Sequence, residues 1–274
     1  VVTCNIGDLT SVGIGLDVLK LGGSVVTDKD RPKTANNAAI KRLAREVASA
    51  GPRNLIVVHG GGSYGHPLAK EYDVAAGYSS PRQLAGFSLT HQAMVELNSI
   101  IVEALLGEGV PAMSIAPSSF IVTEDRRIPD VDFAVVSRAV DSGFVPVLYG
   151  DAVLDSARRF TILSGDQLAA RLATDLGAAR IVFGVDVDGV YTANPKLVRD
   201  ARLIEELSLS QMRGMVKIGE ALSTDVTGGM LGKISEAGPA VEAGVEVQLV
   251  NALNPGVVHD ALRGEKIRCT WLRR

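Results

Sequence analysis

The sequence predicts an α/β fold in which a mostly parallel sheet is covered on both faces by helices. Short β-rich apolar runs alternate with longer stretches of helical spacing, the signature of a sheet buried on both sides. Several of these runs pass directly into glycine turns. With 274 residues, 46% hydrophobic and 22% charged, the chain is long enough for a sizeable core in one large domain or two fused halves.

Residues 1–15 carry little pattern and are read as a leader outside the core that need not be native. The first run, Asp17–Leu21, ends in Gly22-Gly23-Ser24. Thr34 is expected to cap a helix reaching Ala50, with Ile40, Leu43, Ala44 and Val47 spaced for one buried face and Gly51-Pro52 as its stop. Leu55–Val58 is the second strand. From Gln83 to Leu106 a long helical stretch carries Leu84, Phe87, Leu89, Met94, Leu97, Ile101 and Leu105. That is more apolar than one face requires, so part of it should line a pocket or a subunit interface. Further strands are expected at 110–115, 145–149, 180–185 and 245–250. No repeat or low-complexity linker appears, so only a soft division is drawn near Ser156–Arg159, with both halves sharing one continuous sheet.

The net charge of −3 gives no general attraction for nucleic acid or anionic lipid, so any polyanion handled should be small and locally recognised. Cys4 and Cys269 stand at opposite ends without metal-type spacing. That fits a reducing compartment, by default the cytoplasm. Neither a membrane span nor a secretory signal is visible.

Leu55-Ile-Val-Val-His-Gly-Gly-Gly-Ser-Tyr-Gly-His66 is the most informative stretch: a strand meets four glycines and then a histidine. Amides free of side-chain bulk can wrap an anion, and an imidazole at the end can donate to it. The segment satisfies G-x-G-x-x-G, but residues 74–95 contain no Asp or Glu to bind a ribose, so a dinucleotide site is disfavoured. Gly228-Gly-Met-Leu-Gly-Lys233 resembles a Walker A loop, yet Thr227 stands at the first glycine position and Ile234 at the magnesium hydroxyl position, so it is no P-loop. It still opens a helix whose bare amides form an anion site that Lys233 would reinforce; the alternative is a solvated lysine. Lys20 lies inside an apolar strand and needs an anion, for which Asp166 in Leu163-Ser-Gly-Asp-Gln167 is the candidate partner. Lys29, in a polar loop, reads as merely solvated. Asp186 follows a strand end and suits a ligand role, whereas Asp188 suits the Asp-Gly turn. His59 reads as strand-end packing, and His91 and His259 have no partner in view.

Seven segments then occur in the order found in the amino acid kinase superfamily: residues 20–29, 58–67, 117–120, 145–151, 164–167, 186–191 and 224–230. Within it the chain closely resembles the archaeal-type isopentenyl phosphate kinases, from about Asp17 to Arg273. Gly65-His66-Pro67 is the most discriminating element, because members acting on carboxylates generally lack that histidine.

The resemblance implies a three-layer αβα sandwich, with residues 16–157 as an acceptor-phosphate-binding half and 158–274 as a nucleotide-binding half. It implies ATP-dependent phosphorylation of isopentenyl phosphate to isopentenyl diphosphate in isoprenoid biosynthesis, with Mg²⁺ held largely by ATP phosphates and water and a homodimer as the assembly. By motif position, Lys20, Gly22, Gly23 and Ser24 would hold ATP phosphates, and Gly61, Gly62 and Gly150 would give backbone contacts. His66 would bind the acceptor phosphate, Lys29 would stabilise the transferring group, and Asp166 would orient lysines. Asp186, Gly229 and Lys233 would serve the nucleotide, while Phe87 would cover the isoprenyl tail. The alternatives are a small phosphate or phosphonate kinase of the same fold, resembling fosfomycin kinases, and a non-catalytic nucleotide-binding regulator.

Overall fold

The computed structural model describes residues 15–51, 54–193, 198–222 and 228–274. Strand β1 (Asp17–Leu21) leads through a helical turn, α1 (Gly23–Val26), to helix α2 (Asn37–Ala50) and strand β2 (Leu55–His59). Helices α3 (Gly62–Glu71) and α4 (Pro81–Gly107) precede β3 (Ala112–Ser114), α5 (Ala134–Asp141) and β4 (Val145–Tyr149). A hairpin of β5 (Asp151–Asp155) and β6 (Arg159–Leu163) feeds α6 (Gly165–Asp175) and β7 (Arg180–Val185). Then come β8 (Glu206–Ser208), α7 (Leu209–Leu222), α8 (Gly228–Glu242), β9 (Glu246–Asn251), α9 (Val257–Arg263) and β10 (Cys269–Arg273).

Eight strands form one sheet in the order β3-β4-β2-β1-β7-β9-β10-β8. Every pairing in it is parallel except β9 with β10. Strands from before and after residue 157 therefore share a sheet, and the carboxyl ends of β1, β2, β4 and β7 open along one edge. The hairpin is a separate two-stranded sheet.

Side-chain alternation sorts the core into two layers. Val18, Ile56, Val58, Leu148, Ile181 and Phe183 pack with Val136, Leu168, Leu172, Ile234 and Ala237 from α5, α6 and α8. On the other face Leu19, Leu21, Leu55, Val57 and Tyr149 pack with Ile40, Leu43, Met94, Leu97 and Val258 from α2, α4 and α9. The αβα sandwich follows from that pattern.

The helix start differs from expectation. Thr34 turns its hydroxyl to the Pro32 carbonyl, and Asn36 is the cap, its side chain accepting from the Ala39 amide at 3.2 Å. The bridge between Thr27 and Ala35 holds the chain extended through Thr34, which delays the helix by two residues. The helix still ends at Gly51, in the left-handed conformation.

The hairpin occupies the place where the sequence suggests a soft domain division. Its tip is organised by Asp155, which accepts from the Thr123 hydroxyl and from the amides of Arg126, Ala157 and Arg158, all at 2.8–2.9 Å. These donors hold its carboxyl below the ordinary range despite the opposing effect of burial.

Candidate active site

A cavity of about 700 Å³ opens at the carboxyl edge of the sheet, lined by the turns after β1, β2, β4 and β6 together with α3, α4 and Lys233. Parallel register brings the first two turns together, since Leu21 pairs with His59 and each strand ends in glycine one residue later. A Cβ on Gly23 would lie 2.3 Å from the Gly62 nitrogen, and Gly62 has φ +46° with the Thr27 hydroxyl where its Cβ would stand. Only glycine permits this backbone contact. Thr27 ties it, its hydroxyl donating to the Gly23 carbonyl at 2.7 Å and accepting from the Ser63 amide at 3.0 Å.

Lys20 shares the face of Val18, two residues before it, and so points towards the layer of α6 and α8. It is 3% exposed. Its ammonium lies 2.7 Å from Asp166 Oδ1, and Lys233 from α8 approaches Asp166 Oδ2 at 2.9 Å. Ser164 caps α6 by accepting from the Asp166 amide, which fixes that carboxylate in the first turn. Burial pushes the Lys20 ammonium down, and the Asp166 attraction opposes it. For Asp166 burial acts upward, but the two ammonium groups outweigh it and hold the carboxyl below its usual range. One anion thus secures two cations, leaving a net positive charge facing the cavity.

Elsewhere at the cavity Lys29 Nζ is 2.8 Å from Asp186 Oδ2, and the Ser24 hydroxyl donates to Asp186 Oδ1 at 3.3 Å. Lys29 is therefore paired, where its loop suggested plain solvation. The loop is anchored through a defect in α3. Pro67 has no amide for the Ser63 carbonyl four residues earlier, and the Lys33 amide takes that carbonyl instead at 2.9 Å. Asp30 and Pro32 of the same loop reach the cavity wall.

His66 stands on α3, exposed and lining the cavity. Desolvation by the surrounding protein and the positive charges of Lys20 and Lys233 lower its pKa. His59, by contrast, is fully buried, stacks on Tyr149 at 5.5 Å between centroids and contacts Asn98 and the Gly60 carbonyl at 3.2 Å. Its burial lowers the pKa to about 4.

Of the residues singled out from sequence, Lys20, Gly22, Gly23, Ser24, Lys29, Gly61, Gly62, His66, Gly150, Asp166 and Lys233 line the cavity. Asp186 joins them through Lys29 and Ser24. Gly229 is an exposed residue in the first turn of α8 and is not in the wall. Residues 224–227 of the preceding motif lie outside the described residues. Phe87 does not line the cavity. It packs on Phe160 at 5.4 Å in a small cluster that also takes in Ala69 and Ile162, so it backs the wall that those two residues face. It sits seven residues before Met94 on nearly the same helix face, about 10 Å too early along the axis. Thr90 and Met94 hold the position that had been expected of it.

The structure supplies partners for two further histidines. His91, read as partnerless, contacts both carboxylate oxygens of Asp151 at 3.0 Å, and Asp151 lies in the cavity wall. His259 contacts Asp260 at 2.8 Å. The His91 pairing carries no local sequence signal, though Asp151 directly follows a strand and a glycine, whereas His259 and Asp260 are neighbours in the chain.

A parallel sheet whose carboxyl edge presents glycine turns and a carboxylate-bridged lysine pair is a phosphate-handling scaffold, and the model of the amino acid kinase family matches residues 16–251. An isopentenyl phosphate kinase from Methanothermobacter thermautotrophicus is 44% identical over 92% of this chain and 97% of its own length. Another from Thermoplasma acidophilum is 35% identical over 89% of this chain and 94% of its own. A crystal structure of isopentenyl phosphate kinase superposes with a TM-score of 0.82 at 40% identity, covering 94% of this chain and 99% of that one. The chain belongs to the amino acid kinase family and, within it, to the isopentenyl phosphate kinases.

Proposed function

We propose that this protein transfers the γ-phosphoryl group of ATP to the terminal phosphate of isopentenyl phosphate, giving isopentenyl diphosphate and ADP for isoprenoid biosynthesis. The observation that carries the reading is the Lys20–Asp166–Lys233 bridge beside the joined turns at Gly23 and Gly62, in a chain so similar to isopentenyl phosphate kinases.

The chemistry needs little beyond alignment and charge neutralisation. An oxygen of the acceptor phosphate attacks the γ-phosphorus, the bond from that phosphorus to the β-phosphate bridging oxygen breaks, and ADP keeps the electron pair. A dianionic acceptor has no proton to lose, so no strong general base is required. His66 suits the acceptor phosphate as a hydrogen-bond donor rather than a base. Lys20 and Lys233 would meet the transferring group and the nucleotide phosphates, oriented by Asp166. Gly22, Gly23, Ser24, Gly61, Gly62 and Gly150 would supply close backbone approach, and Lys29 would offset charge. Asp186 and Gly229 belong to the nucleotide side of this reading.

Residues 16–157 form its acceptor half and residues 158–274 its nucleotide half. Ala69, Thr90, Met94 and Ile162 would enclose the isoprenyl tail, with Phe87 one layer behind. Among the described residues no group of three or more metal-ligating side chains forms. A magnesium ion would be carried by ATP phosphates and water and would supply charge neutralisation. No described helix is long and apolar enough to cross a membrane; a cytoplasmic homodimer belongs to this reading by resemblance to the family. A coupled assay of ADP release with isopentenyl phosphate, with the product identified by phosphorus NMR, tests the reading. Diphosphate formation is expected. Faster turnover on a phosphonate, or ATP binding with no ADP from any alkyl monophosphate, would overturn it.

A further inference from the structure

The Asp151 side chain is wholly buried, yet its residue forms part of the wall of a cavity built to hold anions. An uncompensated carboxylate there would be costly. Burial indeed pushes the carboxyl up, and the contacts that oppose it are His91, Ser118 and the Ala152 amide. Of these only His91 comes from α4. It is half-buried, with its Nδ1 at 3.0 Å from both oxygens.

The placement matters because of what each partner is joined to. His91 lies next to Thr90 and one turn before Met94, both in the cavity wall. Asp151 follows Gly150, whose amide donates to the His59 carbonyl at 3.0 Å. Asp151 also begins the hairpin and pairs directly with Leu163, three residues before Asp166. The contact therefore joins α4 to the start of the hairpin where the two elements pack together in the cavity wall.

We infer that His91 is a positioning residue for the acceptor: through Asp151 it fixes the spacing between α4 and the Gly150–Asp151 turn, and so sets acceptor affinity without touching a phosphate. The inference rests on the reading of the cavity as the isopentenyl phosphate site. It predicts that the donor at the Nδ1 position matters more than the imidazole ring. Asn places an amide nitrogen close to that position, whereas Leu fills the volume without a donor.

The experiment is calorimetric titration of isopentenyl phosphate and, separately, of ATP into the wild-type protein, His91→Leu and His91→Asn, with steady-state kinetics on the same preparations. For His91→Leu the dissociation constant and KM for isopentenyl phosphate should rise about tenfold, while ATP binding stays within twofold and kcat within threefold. His91→Asn should recover acceptor binding to within threefold of wild type. Equal weakening towards both ligands, unchanged acceptor binding in His91→Leu, or an Asn variant as impaired as Leu would overturn the inference. Should His91→Leu not fold, His91→Gln, whose amide is displaced from the Nδ1 position, is compared with Asn on the same scale, and equal acceptor binding by the two would overturn it. A wild-type protein that binds ATP but no isopentenyl phosphate would instead overturn the reading of the site on which the inference stands.

Discussion

Lys20 and Asp166 meet at 2.7 Å from opposite sides of a layer boundary, one on the central strand β1 and the other in the first turn of α6. Both are deeply placed, with side-chain exposures of 4% and 14%. Lys233 then shares the carboxylate from α8. The pair is thus less a stabilising bridge than a mount for two positive charges, since buried ion pairs contribute little net stability. Lys20→Ala should lower kcat by about two to three orders of magnitude, the scale of losing one charge stabiliser. Asp166→Asn should act on both lysines and cost at least as much. Steady-state rates at saturating ATP and acceptor check this, and a change under twofold in Lys20→Ala would rule it out.

His66→Ala should impair use of the acceptor far more than of ATP. Loss of one hydrogen bond to a charged group costs about 1.5–3 kcal/mol, so the acceptor KM should rise at least tenfold while ATP binding is retained. Equal acceptor kinetics in mutant and parent would refute the role. The imidazole should also titrate below its ordinary value in the free protein, the direction set by desolvation and then by the two nearby lysines. Proton NMR of the ring resonances reads that directly.

Lys29 offers a separation of stability from activity. Its side chain is 55% exposed in its contact with Asp186, and exposed pairs of this kind are worth about 0–1 kcal/mol. Lys29→Met should therefore leave the urea midpoint almost unchanged while lowering kcat about a hundredfold, as expected of one lost charge stabiliser. Parallel loss of both would mean that the lysine serves the fold.

His59 predicts an acid limb. Its folded pKa of about 4 lies below the ordinary 6.5, so the unfolded chain takes up the proton first as pH falls. The stability it contributes is complete above about pH 6.5 and is lost progressively down to about pH 4, amounting to about 3 kcal/mol at most. Urea unfolding at pH 7 and pH 4.5 should show that slope in the parent and a shallower one in His59→Gln. Identical slopes would exclude the histidine as its source.

Local chemistry made much of this legible in the sequence. A lysine inside an apolar strand, glycine runs at strand ends and a regular alternation of strand and helix are signals carried within a few residues. They located five of the eight main-sheet strands to within a residue at either end, and together with the family resemblance they named eleven of the residues that line the cavity. What escaped depends on distant partners. Asn36 displaced Thr34 as a cap because Ala35 bridges back to Thr27. The hairpin turn at Ser156–Arg158 lacks glycine, and Asp155 organises it with donors from as far away as Thr123. Phe87 had the right helix face and the wrong height, which no periodicity can report. His91 and Asp151 are 60 residues apart and meet only when α4 crosses the start of β5.

The contact between Gly23 and Gly62 has a wider meaning for how this protein could change. Two stretches of main chain touch there, so on the proposed reading of the site the separation between donor and acceptor would be set by the strand register more than by any side chain. Evolution or engineering can reshape the far wall at Thr90, Met94 or Ile162 and so admit tails of other shapes. On that reading the reach from one phosphorus to the next would be inherited with the fold, and diversification should proceed by altering what the phosphate is attached to.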